Sequence, residues 1–291
     1  MQVYLNGSYI DHSEAAIPVD DRGFLFADGV YEVIRVYDGR PFLSEPHMRR
    51  LRQGLAALRI SPAGIDGLND VMRRLIEANG VTADGTVYIQ VTRGVAPRKH
   101  AFPAPDVTPT IYTVAKPFRN HPAEFFENGV AAVSVPDLRW SRCDIKSISL
   151  LPNVLANQDA HEAGAFEALF VRDGILIEGS HSNLFGVIDG TLITYPSTNY
   201  ILTGITRNLV IDMARDLGIT CVEAPIYASL LGDIEELFLS GTTTEVMPIT
   251  RLDGRPVGTG DRGGVTQRLQ QAYRQQVESQ TAGGIGAPVH G

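Results

Sequence analysis

The stretch Arg142-Cys143-Asp144-Ile145-Lys146-Ser147 contains one of only three lysines among 291 residues. The other two are Lys99 and Lys116, so any covalent chemistry that needs a side-chain amine must use one of the three. A lysine close to a buried strand is open to desolvation, which lowers the pKa of an amine and makes it a better nucleophile. On its own, however, a single lysine is more often a solvated surface charge.

Local patterning around Lys146 predicts an extended conformation. A strand is expected to end near Trp140, and an apolar segment begins at Ile148. If Asp144 and Lys146 lie in an extended segment between them, their side chains share one face and the intervening side chain points the other way.

The bulk composition limits the class of protein. Hydrophobic residues make up 44% of the chain and charged residues 20%, which is typical of a globular protein. The formal net charge of −8 argues against nonspecific binding to nucleic acid or to a membrane surface. Cys143 and Cys221 are too few for a disulfide framework or a thiolate metal site. Because neither a signal peptide nor an apolar run of about 20 residues is apparent, we expect a cytoplasmic enzyme without a metal.

Residues 1–118 predict a small N-terminal α+β domain. The Asn6-Gly7 and Asp38-Gly39 pairs are typical of hairpin turns, and Ser44 is expected to cap a helix that reaches about Ile60. The remaining elements are expected to be strands at 3–5, 9–10, 30–37, 86–93 and 110–116 and a second helix at 67–79.

Residues 119–279 predict a larger C-terminal domain in which short strands dominate. Strands are expected at 129–135, 166–171, 175–178, 183–188, 191–194, 219–223, 236–240 and 244–249, and helices at about 152–163, 205–217 and 262–277. Many short strands separated by turns favour a barrel-like sheet, so the predicted fold class is α+β with two domains. Residues 280–291 lack periodicity and are expected to form a disordered tail.

Glu178 ends the apolar strand that begins at Ile175. One interpretation is an exposed carboxylate at a strand end. The other is a partner for a ring nitrogen, since a carboxylate that keeps a pyridinium protonated turns the ring into an electron sink.

Two turns have the composition of a phosphate site. The segment Thr203-Gly204-Ile205-Thr206 opens a helix, whose first amides carry partial positive charge. The segment Ser240-Gly241-Thr242-Thr243-Thr244 follows a strand and offers amides and hydroxyls. Arg50, on the helix that begins near Ser44, could add a counter-charge, although a surface helix arginine is the ordinary interpretation. Each turn alone is more often a simple cap.

A basic loop carries Arg98, Lys99 and His100 between Pro97 and Pro103. The ordinary interpretation is a solvated loop. The functional one is a site for a substrate carboxylate, because the Arg98 guanidinium can bind both oxygens at once.

Taken together, these segments resemble the fold-type IV pyridoxal-phosphate enzymes, the family of branched-chain and D-amino-acid aminotransferases. The matching segments follow one another along nearly the whole chain and weaken after about residue 255. They are Asp21-Arg22-Gly23, Asp28-Gly29-Val30-Tyr31-Glu32, His47 with Arg50-Leu51, Gln90-Val91-Thr92-Arg93-Gly94, Cys143-Asp144-Ile145-Lys146-Ser147, Glu178-Gly179-Ser180, Asn183-Leu184-Phe185-Gly186 and Gly204-Ile205-Thr206-Arg207.

The resemblance implies a sandwich-like first domain, a pseudo-barrel second domain and a bound pyridoxal 5'-phosphate. It also implies the role of each site residue. Lys146 would be the Schiff-base and proton-transfer lysine, Glu178 would bind the pyridine nitrogen, and Leu202 would pack on the ring. The phosphate would be bound by Arg50 and by the amides of Ile205, Thr206 and Thr242.

The basic loop is most similar to the D-amino-acid aminotransferases. In that subgroup the residues matching Arg98 and His100 reach across a homodimer and bind the substrate carboxylate together with the residue matching Tyr31. The implied reaction is a ping-pong transfer of amino groups between D-amino acids and 2-keto acids. His181, where that subgroup has a serine, and Gly241, where it has a small hydroxyl residue, depart from the pattern.

Four alternatives share the scaffold. They are an (R)-selective amine transaminase, a branched-chain aminotransferase, an aminodeoxychorismate lyase and a catalytically inactive binding homologue.

Overall fold

The computed structural model describes residues 1–282, which form two compact units. The first unit consists of Met1–Asn120, Ile145–Ser149 and the described residues from Gln280 onward. The second consists of His121–Asp144 and Leu150–Ser279. The short segment that carries Lys146 therefore groups with the first unit, although its position in the sequence suggested the second domain.

The first unit is built on one antiparallel sheet covered by two helices. Its strands are β1 (Gln2–Leu5), β2 (Ser8–Asp11), β3 (Gly29–Tyr37), β4 (Arg40–Pro41), β5 (Gly85–Thr92) and β6 (Thr110–Pro117), and its helices are α1 (Arg22–Phe26), α2 (Ser44–Leu58) and α3 (Leu68–Ala78). The strand order is β2-β1-β6-β5-β3-β4. Leu51 and Leu55 of α2 pack with Leu75 of α3 against Ile34 and Ile89 of the sheet. This burial holds β3 and α2 together, and both carry predicted site residues.

Both predicted hairpin turns are confirmed. Asn6 and Gly7 have φ values of 49° and 94°, and Asp38 and Gly39 have 48° and 71°. Two consecutive residues with positive φ match the right-handed twist of the strands that they connect.

The prediction that Ser44 caps α2 is wrong. Ser44 is already the first helical residue, and the residue before it, Leu43, lies in the left-handed region at φ 53° without a side-chain cap. A capping residue stands one position before the first helical residue. Ser44 is itself the first helical residue, so its side chain is not at the capping position. The short helix α1 was not predicted, because five residues are too few to show a helical pattern.

The second unit contains a larger, mixed sheet. Its strands are β7 (Val130–Pro136), β8 (Glu167–Arg172), β9 (Ile175–Gly179), β10 (Asn183–Ile188), β11 (Thr191–Thr194), β12 (Cys221–Glu223), β13 (Ile226–Tyr227), β14 (Glu236–Gly241), β15 (Glu245–Leu252) and β16 (Arg255–Pro256). Its helices are α4 (Ala123–Asn128), α5 (Leu151–Glu162), α6 (Ile205–Asp216) and α7 (Gly264–Ala282). The strand order is β12-β11-β10-β14-β15-β7-β8-β9-β13, and β16 pairs with β15.

The connection between β12 and β13 shows that this sheet curls. These strands lie at opposite ends of the strand order, yet only Ala224 and Pro225 separate them in the sequence. In a flat sheet nine strands would place the two ends about 40 Å apart, at about 4.8 Å per strand. A two-residue connection spans about 10 Å. The sheet must therefore bend back on itself, as the predicted pseudo-barrel requires, and the predicted fold class is confirmed.

The structure describes only part of the tail that was predicted for residues 280–291. Residues 280–282 continue α7, so the expectation of disorder is wrong for them. Residues 283–291 lie outside the described part of the chain.

Candidate active site

Lys146 lies beside strand β3 in the first unit. Its carbonyl accepts a hydrogen bond of 3.0 Å from the Tyr31 amide, and Ser147 forms an isolated bridge with Val30. The half-buried Nζ lies 4.4 Å from the centroid of the Tyr31 ring. The preceding side chain, Ile145, is buried in the core of this unit and anchors the segment. The structure therefore brings together two of the predicted site residues, Lys146 and Tyr31.

The expected extended path before Lys146 is wrong. Strand β7 already ends at Pro136, and residues 143–144 form a turn. Asp144 is exposed and pairs with Arg142, with Nε to Oδ1 at 2.9 Å. Because the chain turns at residues 143–144, Asp144 and Lys146 do not share a strand face.

Arg50 is an inward-facing residue of α2, not an ordinary surface arginine. Its side chain is 11% exposed, and it binds Glu32 of β3 through Nε at 2.8 Å and a terminal nitrogen at 2.9 Å. His47, one helical turn earlier, places Nδ1 2.7 Å from the same carboxylate. Burial opposes charge on Glu32, but Arg50 prevails and lowers the pKa of this carboxyl to about 2. Burial lowers the pKa of His47, against the opposing effect of Glu32.

Arg98 and His100 meet at one aromatic ring of the first unit. The Arg98 guanidinium carbon lies 5.3 Å from the centroid of Phe26, and the His100 ring lies 5.5 Å from it. Both side chains are exposed. The two predicted carboxylate-binding groups therefore face solvent side by side.

Glu178 is buried at the end of β9, so the interpretation as an exposed carboxylate is wrong. It forms an ion pair with Arg139, which in turn binds Asp137 at 2.9 Å. The amide of Leu202 donates to the Glu178 carboxylate at 3.2 Å. Burial raises the pKa of Glu178 to about 7, although Arg139 and the Leu202 amide act in the opposite direction.

Asn183 connects the predicted cofactor groups of the second unit. Its amide donates to Glu178 Oε2 at 2.9 Å and to the Leu202 carbonyl at 2.8 Å. On β10 it pairs with Ser240 of β14, the first residue of the second phosphate turn. Gly204 passes so close that a Cβ on it would lie 2.1 Å from Asn183 Oδ1. This asparagine thus places Glu178, Leu202, Gly204 and Ser240 around one side chain.

Both turns proposed for a phosphate have unused hydrogen-bonding groups. Helix α6 begins at Ile205 after Gly204, and no side chain caps its first amides. The hydroxyls of Ser240 and Thr244 are buried and have no hydrogen-bond partner among residues 1–282. Hydroxyls and the first amides of a helix are donors that suit an anion, so the two turns are chemically compatible with a phosphate.

The sequence did not identify Arg139, Asn183 or Glu32 as functional. Asn183 and Glu32 belong to matched segments, and Glu32 lies on the strand that also carries Tyr31. Arg139 follows the end of β7 by three residues, and no local pattern places it beside Glu178. Only the folded chain brings the two together.

His181, the first departure, pairs with a buried carboxylate. Its Nδ1 lies 3.0 Å from Oε2 of Glu167, which also accepts hydrogen bonds from the hydroxyls of Ser180 and Ser182. Side-chain hydrogen bonds thus hold the turn that follows β9. At Gly241, the second departure, a Cβ would lie 3.2 Å from the Thr244 hydroxyl.

Two classes of site are absent from the described residues. Within residues 1–282, histidine, cysteine and carboxylate side chains form no group of three that could hold a metal ion. None of the helices in that range is long and apolar enough to cross a membrane.

Comparison with known proteins identifies the family. Residues 29–252 match the family "Amino-transferase class IV". The chain is 40% identical over 282 residues to the D-alanine aminotransferase of Staphylococcus haemolyticus, which covers 97% of this chain and 99% of that protein. The D-alanine aminotransferase of Bacillus licheniformis is also 40% identical, over 286 residues, with 97% and 99% coverage.

A solved structure gives the same result. The crystal structure of the branched-chain amino acid aminotransferase of Escherichia coli superposes with a TM-score of 0.87 at 30% identity, covering 94% of this chain and 93% of that one. Fold and site together define an aminotransferase scaffold. The chain belongs to the class IV aminotransferases, as its sequence motifs predicted.

Proposed function

We propose that this protein is a pyridoxal-phosphate-dependent aminotransferase that moves the amino group of D-amino acids, of the D-alanine and D-glutamate type, to 2-keto acids. The observation that carries the proposal is its 40% identity, over 97% of the chain, to a protein named D-alanine aminotransferase. In the ping-pong exchange the donor leaves as its keto acid before a second keto acid receives the amino group.

The chemistry of the side chains fits pyridoxal phosphate. The unpaired hydroxyls of Ser240 and Thr244 and the uncapped amides of α6 suit a phosphate, and buried Glu178 suits a protonated ring nitrogen. In this proposal Arg50 and the amides of Ile205, Thr206 and Thr242 hold the phosphate, and Leu202 packs on the ring. When bound, the cofactor supplies a ring that takes up the electron pair released at the substrate α-carbon.

Lys146 has two tasks in this proposal. It would hold the cofactor covalently between turnovers, and its free amine would move the proton at the substrate α-carbon. The Tyr31 ring, 4.4 Å from Nζ, keeps water from one side of that amine. Glu178 would accept a hydrogen bond from the ring nitrogen, and Arg139 with Asn183 fixes the orientation of the carboxylate.

Arg98 and His100 bind the α-carboxylate in a homodimer whose active sites share residues across the interface, with Tyr31 supplied by the other subunit. Large apolar side chains beside this loop support a covered surface, because Val19, Phe24 and Val95 are 73%, 75% and 43% exposed in the single chain. A sedimentation measurement that finds an active monomer would contradict this part of the proposal. The cytoplasmic location stays a prediction.

A panel of amino donors tests the function. The purified enzyme would be incubated with D-alanine, L-alanine, L-leucine or (R)-1-phenylethylamine and 2-oxoglutarate as acceptor, and with D-glutamate or L-glutamate and pyruvate as acceptor. We expect the D-amino acids to be converted at least about 100-fold faster, in kcat/KM, than their L-forms.

Other results in the same panel would overturn the assignment. Preference for L-leucine would indicate a branched-chain aminotransferase, which the similarity to the Escherichia coli structure favours as the second candidate. Preference for the amine without a carboxylate would indicate an (R)-selective amine transaminase. In a separate incubation with aminodeoxychorismate and no acceptor, pyruvate release would indicate a lyase. The absence of a cofactor spectrum would indicate an inactive homologue.

A further inference from the structure

The loop that carries Arg98 and His100 is exposed but is held at its base. The Arg22 amide donates to the Gly94 carbonyl at 2.9 Å, and the Ala96 amide donates to the Asp20 carbonyl at 3.2 Å. Gly94 has φ 95°, and a Cβ on it would lie 2.1 Å from the Thr108 carbonyl oxygen. The residues just before and within α1 therefore line the start of the loop.

The Arg22 side chain also reaches the tip of the loop. Its terminal nitrogen donates a hydrogen bond of 2.6 Å to the carbonyl of Lys99, the residue between Arg98 and His100. A charged donor makes a stronger hydrogen bond than a neutral one, and this donor is 3% exposed. One guanidinium thus fixes the backbone between the two predicted carboxylate-binding side chains.

Asp28 holds Arg22 in place. Its carboxylate binds Arg22 Nε at 2.8 Å and Arg93 Nε at 2.7 Å. Arg93 continues the network to the end of α2, where it donates to the carbonyls of Leu58 and Arg59, both at 2.8 Å. The charge on Asp28 is therefore shared by two arginines, and the network is tied to the helical layer of the first unit.

The Phe26 ring lies close to the side chains of Arg22, Arg98 and His100. The Arg22 guanidinium lies 4.8 Å from the centroid of this ring, and Arg98 and His100 lie 5.3 and 5.5 Å from it. Cations and aromatic rings favour such distances. The ring limits the positions that both side chains adopt.

We propose that Arg22 and Phe26 are positioning residues that preorganise Arg98 and His100 for the substrate carboxylate. Arg22 fixes the backbone at Lys99, and Phe26 supports the two side chains. This inference rests on the proposed function, since it assumes that Arg98 and His100 bind a carboxylate. A preorganised loop loses less conformational entropy when substrate binds, so the arrangement lowers KM and leaves the chemistry at Lys146 unaffected.

Steady-state kinetics of the holoenzyme with D-alanine test the inference. We expect Arg22→Lys, which can reach Asp28 or Lys99 but not both, to raise KM about 10- to 100-fold with kcat within about twofold. Phe26→Leu removes the ring and should raise KM in the same way, which keeps the test open if Arg22→Lys does not fold. The control is Arg73→Lys, the same change at an exposed arginine of α3 that pairs with Asp70, and it should leave KM unchanged.

The double variant Arg22→Lys with Arg98→Ala separates positioning from general damage. If Arg22 acts through Arg98, adding Arg22→Lys to Arg98→Ala raises KM by less than about threefold more. Full additivity of the two effects on KM would overturn the inference. So would an unchanged KM in both Arg22→Lys and Phe26→Leu when Arg98→Ala raises KM. Either result would leave the role of Arg98 intact. An unchanged KM in Arg98→Ala would overturn the carboxylate site itself, and the inference with it.

Discussion

The Nδ2 amide of Asn183 donates to Glu178 Oε2 at 2.9 Å, and the Oδ1 of the same side chain lies where a Cβ on Gly204 would clash with it. The residue that orients Glu178, the carboxylate proposed for the ring nitrogen, is therefore packed against the start of α6, whose amides are proposed to bind the phosphate. The two ends of the proposed cofactor site in the second unit depend on one side chain. A substitution that displaces Glu178 should therefore also disturb Gly204 at the start of α6, and a substitution at Gly204 should disturb Glu178.

Gly204→Ala should weaken cofactor binding. Gly204 has φ −68°, so alanine meets no backbone strain, but its Cβ would lie 2.1 Å from Asn183 Oδ1. Relieving such a contact costs about 1–3 kcal/mol, which corresponds to about a 5- to 150-fold loss of affinity if borne by the bound state. An absorbance titration with pyridoxal phosphate measures it. The matched control is Gly67→Ala, because Gly67 also precedes a helix and a Cβ there meets nothing within 4 Å. Equal affinities in both variants would contradict the role of this contact.

Lys146→Ala should abolish turnover and the absorbance band of the lysine-bound cofactor. We expect kcat to fall by more than about 1,000-fold, since no other lysine can replace it. Lys116→Ala removes an exposed lysine of the same unit and should change kcat by less than about twofold. An intact band in Lys146→Ala would refute the assignment of the cofactor lysine.

Glu178 should make the cofactor-free protein less stable as pH rises. Its pKa in the folded protein is about 7 and its ordinary value is 4.5, so the folded state binds this proton more tightly than the unfolded chain. The stability that protonation confers is complete below about pH 4.5 and is lost as pH rises through about 7. The Tm of wild type and of Glu178→Gln would be measured at pH 5 and at pH 8. Between these pH values the Tm of wild type should fall more than the Tm of Glu178→Gln. Parallel Tm profiles would show that burial does not raise this pKa.

Glu32→Gln should destabilise the first unit. The carboxylate is buried and forms an ion pair with Arg50, so the substitution removes the charge that Glu32 supplies to a largely buried guanidinium, at a cost of about 3 kcal/mol. Because the pKa of Glu32 is lowered to about 2, its contribution is present above about pH 4.5 and is lost as pH falls toward 2. Urea unfolding at pH 7 and pH 3 measures both effects.

The control for Glu32→Gln is an exposed ion pair. Asp70 and Arg73 on α3 have side chains 77% and 66% exposed, so Asp70→Asn should cost less than about 0.5 kcal/mol. Equal losses of unfolding free energy in Glu32→Gln and Asp70→Asn would mean that the ion pair between Arg50 and Glu32 stabilises the protein no more than an exposed one.

Most of the secondary structure followed from local patterns. The hairpin turns at Asn6-Gly7 and Asp38-Gly39, the long strand β3 and helix α6 lie where periodicity and turn residues placed them, because such signals act over a few residues. The cap assigned to Ser44 and the strand end near Trp140 failed, because neighbouring contacts shift element boundaries by a few residues.

The sequence by itself determined the family and the order of the site segments and predicted the reactive lysine, because these depend on residue types at fixed positions along the chain. The tertiary structure alone decided which charges meet. Arg139 reaches Glu178 across 39 residues, and Arg22 reaches the Lys99 carbonyl across 77. Such pairs form because sheet packing and burial force distant polar groups to satisfy one another away from water, and no local pattern encodes that requirement. Lys146 thus came from the sequence, and the side chains that orient its partners came from the fold.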